Sequence, residues 1–268
     1  MQNKWLIAVD LDGTLFGADH QVSERTLAAL CAVDQRDHAI VVVTGRSAYS
    51  AVPRLTSIPT HARLVCSNGA YEYDRFGKTK CWSESFSAGS TIQLRRRILE
   101  ALPNASFGWE SEAGHGFEDK FLKEAGGANT LEQGGTSEKL GLSSVFKLYV
   151  RTPQLVRGDL QRMLVPVLDG QAEVSTSGAP FVELTVPGID KASGLARVAA
   201  DLGFTASRTI AFGDNLNDVS MLSWAFEGVA MGNALDEVKA IANTLALNNT
   251  DDGVAKLLED RLSSGELS

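Results

Sequence analysis

The sequence predicts an α/β fold, with a doubly wound, Rossmann-like parallel sheet as its core and an α+β cap domain inserted into it. Three observations support this prediction. Apolar runs alternate with helical patterns in the first and last thirds of the chain. The first run, "WLIAV", is continuously apolar, as in strands that are covered on both faces. The middle third mixes strands and helices without that alternation.

In the first third, "WLIAV" is followed by "SERTLAALCAVD", which has helical spacing and Ser23 as its N-cap. "AIVVVT" and "RLVCSN" predict two further strands, and "RSAYSAVPRLTSI" between them predicts a helix that is interrupted near Pro53. "YEYDRFGKTKCW" predicts a hairpin with Gly77 in its turn.

The middle third predicts the inserted domain. Its helices are expected in "STIQLRRRILEAL" and "PQLVRGDLQRMLVPVL", and its strands in "FKLYVRT", "AEVSTS" and "FVELTV". Glycines at 126, 127, 134 and 135 predict a loop between them. We expect residues 1–82 and 187–268 to form the core and residues 83–186 to form the insertion.

The last third resumes the alternation of helix and strand. "KASGLARVAADLG" predicts a helix that ends at Gly203. "TIAFGD" and "EGVAM" predict strands, and "LNDVSMLSWA", "LDEVKAIANT" and "GVAKLLEDRL" predict helices. Such alternation implies right-handed crossovers between parallel strands.

Composition narrows the class of protein. The chain has 268 residues and a formal net charge of -8, and such a surface repels nucleic acid. Three scattered cysteines form no CxxC or Cys/His cluster, so zinc is not expected, and reduced thiols are typical of the cytoplasm. The apolar start is too short for a signal peptide or a membrane span. We expect a cytoplasmic protein with no nucleic-acid or membrane partner, and the oligomeric state is undefined.

Four apolar strands end in polar groups. These groups are Asp10 with Asp12, Thr44-Gly45-Arg46, Ser67-Asn68-Gly69, and Gly213-Asp214 with Asn217 and Asp218. In an open parallel sheet, ligands bind outside the carboxyl ends of the strands, so the four groups can converge on one site.

Four carboxylates in one site, those of Asp10, Asp12, Asp214 and Asp218, repel one another and need a cation to stay ionised. Hard oxygen donors with no His or Cys nearby indicate Mg²⁺. Arg46 and Lys191 add positive charge that suits a phosphate group. One acid of the first pair can then attack phosphorus as a nucleophile, and the other can transfer protons to and from the reacting oxygens.

These motifs resemble the haloacid dehalogenase-like (HAD) superfamily, and within it the Cof-type (IIB) phosphatases with a C2-type cap. "DLDGTL" is similar to its first motif, "VVTGR" to the second, Lys191 in "GIDKASGL" to the third and "GDNLND" to the fourth. "SNGA", "GVAMGNA" and "NNTDDGVAKLL" also resemble the subfamily, so the likeness covers nearly the whole chain.

The resemblance implies a role for each matching residue. Asp10 is expected as nucleophile and metal ligand, and Asp12 as general acid/base that binds the metal through its backbone carbonyl. Asp214 is expected as a metal ligand, and Asp218 as a direct or water-mediated one. Lys191 is expected to offset charge between Asp10 and the phosphoryl group. The expected phosphate contacts are Thr44, Asn217 and the backbone of Leu11 and Gly45, with Arg46 and Asn68 as further candidates.

The identity of residue 12 argues against two relatives in the family. A lysine would stand there in P-type ATPases, so their signature is absent. The dehalogenases of the family lack this second acid, so hydrolysis of carbon–halogen bonds is disfavoured. Asp190 stands beside Lys191 where a small residue is usual, and we expect it to face solvent. In the insertion, His115 in "EAGHGFED", with Trp109, Glu110 and Glu112, is a candidate lid residue, although a surface loop is the simpler interpretation.

Three functions remain open at this point. The first is a Mg²⁺-dependent phosphatase that acts on a small phosphorylated metabolite, such as a sugar phosphate or a phosphorylated cofactor precursor. The second is a phosphosugar mutase of the phosphomannomutase type, which is disfavoured because the insertion has no arginine cluster for a second phosphate. The third is a non-enzymatic sensor of phosphorylated ligands, which the complete set of Asp10, Asp12, Lys191 and Asp214 disfavours.

Overall fold

The structure is a computed structural model that describes residues 4–124 and 140–267. Within these residues the strands are β1 (Leu6–Val9), β2 (Ala39–Val43), β3 (Arg63–Cys66), β4 (Tyr71–Asp74), β5 (Thr79–Ser83), β6 (Ser106–Ser111), β7 (Gly114–Phe117), β8 (Val145–Arg151), β9 (Glu173–Ser175), β10 (Val182–Thr185), β11 (Thr209–Gly213), β12 (Glu227–Ala230) and β13 (Thr244–Leu245). The helices of the same residues are α1 (Glu24–Asp34), α2 (Ala48–Ala51), α3 (Ala88–Ala101), α4 (Asp119–Glu124), α5 (Arg157–Leu168), α6 (Lys191–Asp201), α7 (Val219–Trp224), α8 (Asp236–Ile241) and α9 (Gly253–Ser263). The loop expected around residues 126–135 lies outside the described residues.

The first sheet confirms the predicted α/β core. Its strand order is β13-β12-β11-β1-β2-β3-β4-β5, and all pairs from β13 to β3 are parallel. β1 pairs with β11 on one side and with β2 on the other. All four residues of β1 are completely buried, although successive side chains point to opposite faces. Both faces of the sheet are therefore covered, as the apolar run "LIAV" requires.

The far edge of this sheet is antiparallel. The hairpin predicted for "YEYDRFGKTKCW" is confirmed, because β4 and β5 pair antiparallel and extend the sheet beyond β3. The predicted N-cap of α1 is also confirmed, since the Ser23 side chain accepts a hydrogen bond from the Thr26 backbone N–H.

The second sheet lies between β5 and α6 in the chain and is antiparallel, with the order β7-β6-β8-β10-β9. One of its faces packs on α3 and α5 in a separate hydrophobic core. That core includes Phe107, Leu148, Leu160 and Leu184. The opposite face turns toward the first sheet, where Ser67 donates a hydrogen bond to Glu110 of β6. The domain boundaries near residues 83 and 187 stay a prediction.

The interruption expected near Pro53 in "RSAYSAVPRLTSI" is confirmed: α2 is followed at once by a 3-10 turn over Val52–Arg54, because Pro53 has no N–H to continue the helical pattern. The α-helix does not resume before β3. A second expectation needs correction. The surface loop expected around His115 is wrong. β6 and β7 form a hairpin there, and His115 is only 1% exposed. Two glycines in the four residues of β7 hide the strand pattern.

The four residues considered for a lid have different positions. Trp109 is buried in the second sheet's core, and Glu110 is buried against the first sheet. Glu112 is exposed and pairs with Lys80 at 2.7 Å. None of the described helices combines the length and the apolar composition needed to cross a bilayer.

Two glycines allow α6 to approach the turn that follows β3. Gly69 has a φ of +96°, and a Cβ at this position would overlap the backbone of Asp190. A Cβ at Gly194 of α6 would lie 2.7 Å from the Cα of Gly69. This close packing fixes the start of α6, where Lys191 is the first residue.

We therefore expect Gly194→Ala to lower the free energy of unfolding by about 1–2 kcal/mol. The backbone atoms at the contact cannot move aside, so overpacking costs up to about 3 kcal/mol. The helix propensity of alanine offsets about 1 kcal/mol of this cost. Urea denaturation measures the change. Gly89→Ala in α3 is the matched control, since the nearest atom to its new Cβ lies 3.8 Å away. Equal stability of the two variants would contradict the packing argument.

Candidate active site

The polar groups at the strand ends meet at one edge of the first sheet. β1, β2 and β11 are neighbouring parallel strands, so their carboxyl ends lie side by side. Asp10 follows β1, Thr44 follows β2 and Asp214 follows β11. The Asp10 backbone N–H continues the ladder by donating to the carbonyl of Phe212 at 3.1 Å.

Three carboxylates form the centre of this edge. One oxygen each from Asp10, Asp214 and Asp218 lies within 4.8 Å of the others. The Lys191 ammonium lies among them, with Nζ donating to Asp10 Oδ1 at 2.6 Å and to Asp218 Oδ1 at 2.5 Å. The side chains of Lys191 and Asp218 have no exposed surface. One ammonium thus faces three carboxylates in a water-poor environment.

The protonation equilibria reflect this excess of negative charge. Burial raises the pKa of the Asp10 carboxyl well above its usual value, and repulsion from Asp218 and Asp214 adds to the shift against the attraction of Lys191. Burial and repulsion from Asp218 raise the pKa of Asp214 to about 7. Burial disfavours the charge on Lys191, but Asp10 and Asp218 outweigh it and raise the pKa of the ammonium.

The donor chemistry of the cluster fits a hard divalent cation. All three groups offer carboxylate oxygens, and a second positive charge among them would keep Asp10 and Asp214 ionised. The side chain of Asp12, the fourth predicted acid, is not part of this group of three and pairs with Arg46. Its two oxygens accept hydrogen bonds from Arg46 Nε at 2.5 Å and Arg46 Nη2 at 2.6 Å.

Asp218 orients the loop that carries Asp214. While its Oδ1 accepts from Lys191, its Oδ2 accepts from the backbone N–H groups of Asp214 and Asn215, both at 2.9 Å. A completely buried carboxylate is thereby fully hydrogen-bonded, as buried charges require. The same bonds close the turn after β11.

The turn after β1 holds Asp214 from the other side. Gly13 has a φ of +77°, and a Cβ there would overlap the Asp214 carboxylate. The neighbouring Thr14 hydroxyl donates to Asp214 Oδ1 at 3.1 Å. The glycine of "DLDGTL" therefore provides both the backbone conformation and the space for the acid from β11.

From the sequence we expect Asp190 to face solvent, and the structure corrects this expectation. Asp190 is half-buried and caps α6, where its Oδ1 accepts from the Ser193 N–H at 2.8 Å and the Ser193 hydroxyl bonds back to the Asp190 backbone. This capping box satisfies donors that the first turn of a helix leaves open. It fixes the helix start at Lys191.

The candidate phosphate contacts surround the same edge. The Thr44 hydroxyl accepts from the Arg46 N–H at 3.0 Å, and Asn217 Nδ2 donates to Asn68 Oδ1 at 3.0 Å. A Cβ at Gly45 would lie 2.9 Å from that Asn68 oxygen. Leu11 is completely buried directly after Asp10. The structure thus brings together all the residues that the sequence nominated for the site.

A cavity of about 320 Å³ opens from this edge to the second sheet. Of the nominated residues, Asp10, Asp12, Gly45, Arg46 and Asn217 line it. Lys191 and Asp218 are completely buried behind Asp10. The second sheet contributes His115, Phe117, Lys147, Tyr149 and Glu183 to the cavity lining, and the segment between β9 and β10 adds Ser177, Ala179, Pro180 and Phe181.

Sequence reasoning missed most of the lining residues from the second sheet. Lys147 donates to the carbonyl of Gly45 and to Glu183 Oε1 at 2.9 Å, and Glu183 Oε2 accepts from Asn68 Nδ2 at 3.1 Å. These two charged residues therefore connect the second sheet to the loop after β2 and to the turn after β3. The available signal was a lysine and a glutamate at buried positions inside "FKLYV" and "FVELTV".

Comparison with known proteins places the chain in a family. The model of the haloacid dehalogenase-like hydrolases matches residues 7–258. The chain therefore belongs to the haloacid dehalogenase-like hydrolase family, which confirms the resemblance seen in its motifs.

Two curated relatives are similar over nearly the whole chain. The 5-amino-6-(5-phospho-D-ribitylamino)uracil phosphatase YitU of Bacillus subtilis is 29% identical over 97% of this chain and 98% of its own length. The pyridoxal phosphate phosphatase YbhA of Escherichia coli is 28% identical over 96% and 98%. The solved structure of the HAD subclass IIB sugar phosphatase BT4131 shares the fold, with a TM-score of 0.78 and 22% identity over 96% of this chain and 98% of that one.

The ion pairs of Lys191 give a test of the site's construction. We expect Lys191→Met to lower the free energy of unfolding by about 3–5 kcal/mol at pH 7, because Asp10 and Asp218 lose the ammonium that compensates their buried charge. Chemical denaturation in the presence of EDTA measures the effect on the metal-free protein.

Lys256→Met is the matched control for this substitution. Lys256 pairs with Asp260 at 2.5 Å on the surface of α9, and the side chains are 46% and 60% exposed. An exposed pair of this kind contributes at most about 0.5 kcal/mol. Similar losses in the two variants would show that Lys191 does not balance buried charge.

Proposed function

We propose that this protein is a Mg²⁺-dependent phosphatase that hydrolyses a small phosphorylated metabolite through an aspartyl-phosphate at Asp10. The observation that carries the proposal is the cluster of Asp10, Asp214 and Asp218 around Lys191 beside a small cavity. The names of both curated relatives support it, since each describes a phosphatase of a small phosphorylated compound.

Asp10, Asp214 and Asp218, with the backbone carbonyl of Asp12, are the residues that would hold the cation in this proposal. Bound Mg²⁺ would neutralise negative charge on the phosphoryl oxygens and on the carboxylates around them. Every other part of the reaction falls to side chains and backbone of the chain itself.

In the first step, an Asp10 oxygen forms a bond to phosphorus while the bond from phosphorus to the alcohol oxygen breaks. Asp12 gives its proton to that departing oxygen. In the second step, Asp12 takes a proton from water, the water oxygen bonds to phosphorus, and the bond to Asp10 breaks. Inorganic phosphate leaves, and both carboxyl groups return to their starting states.

The remaining residues bind and orient the phosphoryl group. Lys191 reduces repulsion between Asp10 and the incoming phosphate, because its ammonium lies 2.6 Å from Asp10 Oδ1. Thr44, Asn217 and the N–H groups of Leu11 and Gly45 donate to phosphoryl oxygens. Arg46 orients the Asp12 carboxylate, and Asn68 positions Asn217 through their 3.0 Å hydrogen bond.

We further propose that residues 83–186 form the cap, since the second sheet supplies one wall of the cavity. The polar contacts of Lys147 and Glu110 with the first sheet can be replaced by water, which suits a surface that opens for substrate. We place the enzyme in the cytoplasm, without a nucleic-acid or membrane partner.

Asp10→Asn is expected to reduce the turnover of a generic aryl phosphate by at least about 10³-fold, because an amide is a poor nucleophile and a weak metal ligand. Release of inorganic phosphate, with and without EDTA, measures this. Asp159→Asn on the surface of α5 is the control and should retain activity. Substantial turnover by Asp10→Asn would contradict the covalent route.

The same assay separates hydrolysis from mutase activity. With hexose 1-phosphate as substrate, a phosphatase releases inorganic phosphate, whereas a mutase forms hexose 6-phosphate without release. Wild-type turnover that EDTA abolishes would also exclude a purely ligand-binding role.

The metal site gives a prediction that does not depend on activity. We expect Mg²⁺ to raise the Tm of the wild-type protein, because the cation relieves repulsion among Asp10, Asp214 and Asp218. Asp214→Asn should have a higher Tm than wild type in EDTA and should lose most of the Mg²⁺-dependent increase. Asp159→Asn should behave as wild type. A Mg²⁺ response that survives in Asp214→Asn would place the metal elsewhere.

A further inference from the structure

The wall that the second sheet presents to the cavity contains several aromatic rings. Phe117 of β7, Tyr149 of β8 and Phe181 beside β10 line the cavity together with His115. With Phe121 behind them, they form a cluster that we call the ring cluster (His115, Phe117, Phe121, Tyr149 and Phe181). Its members come from β7, β8, α4 and the segment before β10, so the tertiary fold assembles this surface.

The rings of the cluster include a near-parallel set. The planes of Phe117 and Tyr149 differ by 13° with centroids 6.2 Å apart, and His115 is within 19° of Tyr149 at 6.3 Å. Phe181 lies 5.0 Å from Tyr149 at an angle of 51°. Since Phe117, Tyr149 and Phe181 also line the cavity, aromatic carbons form part of its surface on this side.

A glycine in a central strand makes this arrangement possible. Gly108 of β6 is the cross-strand partner of both Phe117 and Tyr149. A Cβ at Gly108 would lie 2.6 Å from the Phe117 ring and 3.0 Å from the Tyr149 ring. Glycine weakens a strand interior and often marks a site of close approach, and here the two rings occupy the space it leaves.

The two charged side chains of the same wall are already engaged with protein partners. Lys147 and Glu183 bond to each other and to Gly45 and Asn68 of the first sheet. The aromatic carbons beside them offer no hydrogen bonds, so hydroxyl groups of a substrate that were buried against them would lose hydrogen bonds to water at a cost in free energy. A planar aromatic ring would instead gain aromatic contacts there.

The cavity also limits the size of the occupant. Its volume of about 320 Å³ is at the lower end of the range for small-molecule sites, and Asp10 and Asp12 lie in the same space as the rings. A phosphoryl group at Asp10 leaves room for one ring system between the carboxylates and the ring cluster.

We propose that the preferred substrates are phosphomonoesters whose alcohol portion carries a single planar aromatic or heteroaromatic ring, recognised by Phe117, Tyr149 and Phe181. This inference rests on the proposed phosphatase function and adds the substrate class. The specificity of the site then resides in the second sheet, whereas the chemistry resides in the first.

Benzyl phosphate and cyclohexylmethyl phosphate test the inference as a matched pair. Both are phosphate esters of a primary alcohol with a six-membered carbon ring, and they differ in the planarity and π electrons of that ring. We expect the wild-type protein to show a kcat/KM about fivefold to tenfold higher for the benzyl ester, the size of effect that aromatic contacts give.

Phe117→Leu and Phe181→Leu should each lower that ratio of kcat/KM values toward one, because leucine keeps an apolar contact but removes the flat ring. Two variants are used since Phe181 is 9% exposed and more deeply packed than the half-buried Phe117. Phe76→Leu in the β4–β5 turn is the matched control, because Phe76 is 65% exposed and outside the cavity wall, and its ratio should equal that of wild type.

The outcomes separate this inference from the proposed function. Turnover of both esters at equal kcat/KM by the wild-type protein would overturn the aromatic preference and leave the phosphatase intact. A ratio unchanged in both cavity variants would likewise assign the preference to other residues and overturn the role of the ring cluster. Failure to hydrolyse either ester or a generic aryl phosphate would overturn the phosphatase proposal itself.

Discussion

The pair of hydrogen bonds from Lys191 to Asp10 and Asp218 is the interaction on which the site depends. Lys191 starts α6, Asp10 directly follows β1, and Asp218 closes the turn after β11, so one buried ammonium connects three elements. Its position is fixed by backbone features, namely the capping box at Asp190 and the close packing of Gly194 on Gly69. Because the Lys191 ammonium is buried away from water, the carboxylates of Asp10 and Asp218 balance its charge.

The same interaction explains why the site is unbalanced without a cation. Lys191 offsets part of the charge of the three acids, and burial raises the pKa of Asp10 well above its usual value while it raises that of Asp214 to about 7. This arrangement disfavours the ionised form of the two carboxyl groups in the metal-free protein and favours binding of a small hard cation. Binding of the cation relieves the repulsion among the carboxylates, and this relief contributes to the affinity of the site for the cation.

Much of the first sheet and its acidic edge could be predicted from the sequence, because buried parallel strands give continuous apolar runs and the polar groups follow them directly. The cavity wall formed by the second sheet could not be predicted in this way. In β7, "GHGF" shows no strand alternation, and the phenylalanines and tyrosine of the ring cluster look like ordinary core residues until the fold places them on the cavity face. The position of Asp190 was also not predicted, because its function as the cap of α6 depends on the contact with Ser193.

The central claim is that Asp10 carries the phosphoryl group during turnover. The most direct measurement is mass spectrometry of the Asp12→Asn variant, acid-quenched during incubation with substrate and Mg²⁺ and then digested. Loss of the proton-transferring acid should slow hydrolysis of the intermediate, so the account predicts the added mass of one phosphoryl group on the peptide that contains Asp10. A phosphoryl group on a different peptide, or continued turnover with Asp10 unmodified at every quench time, would contradict it.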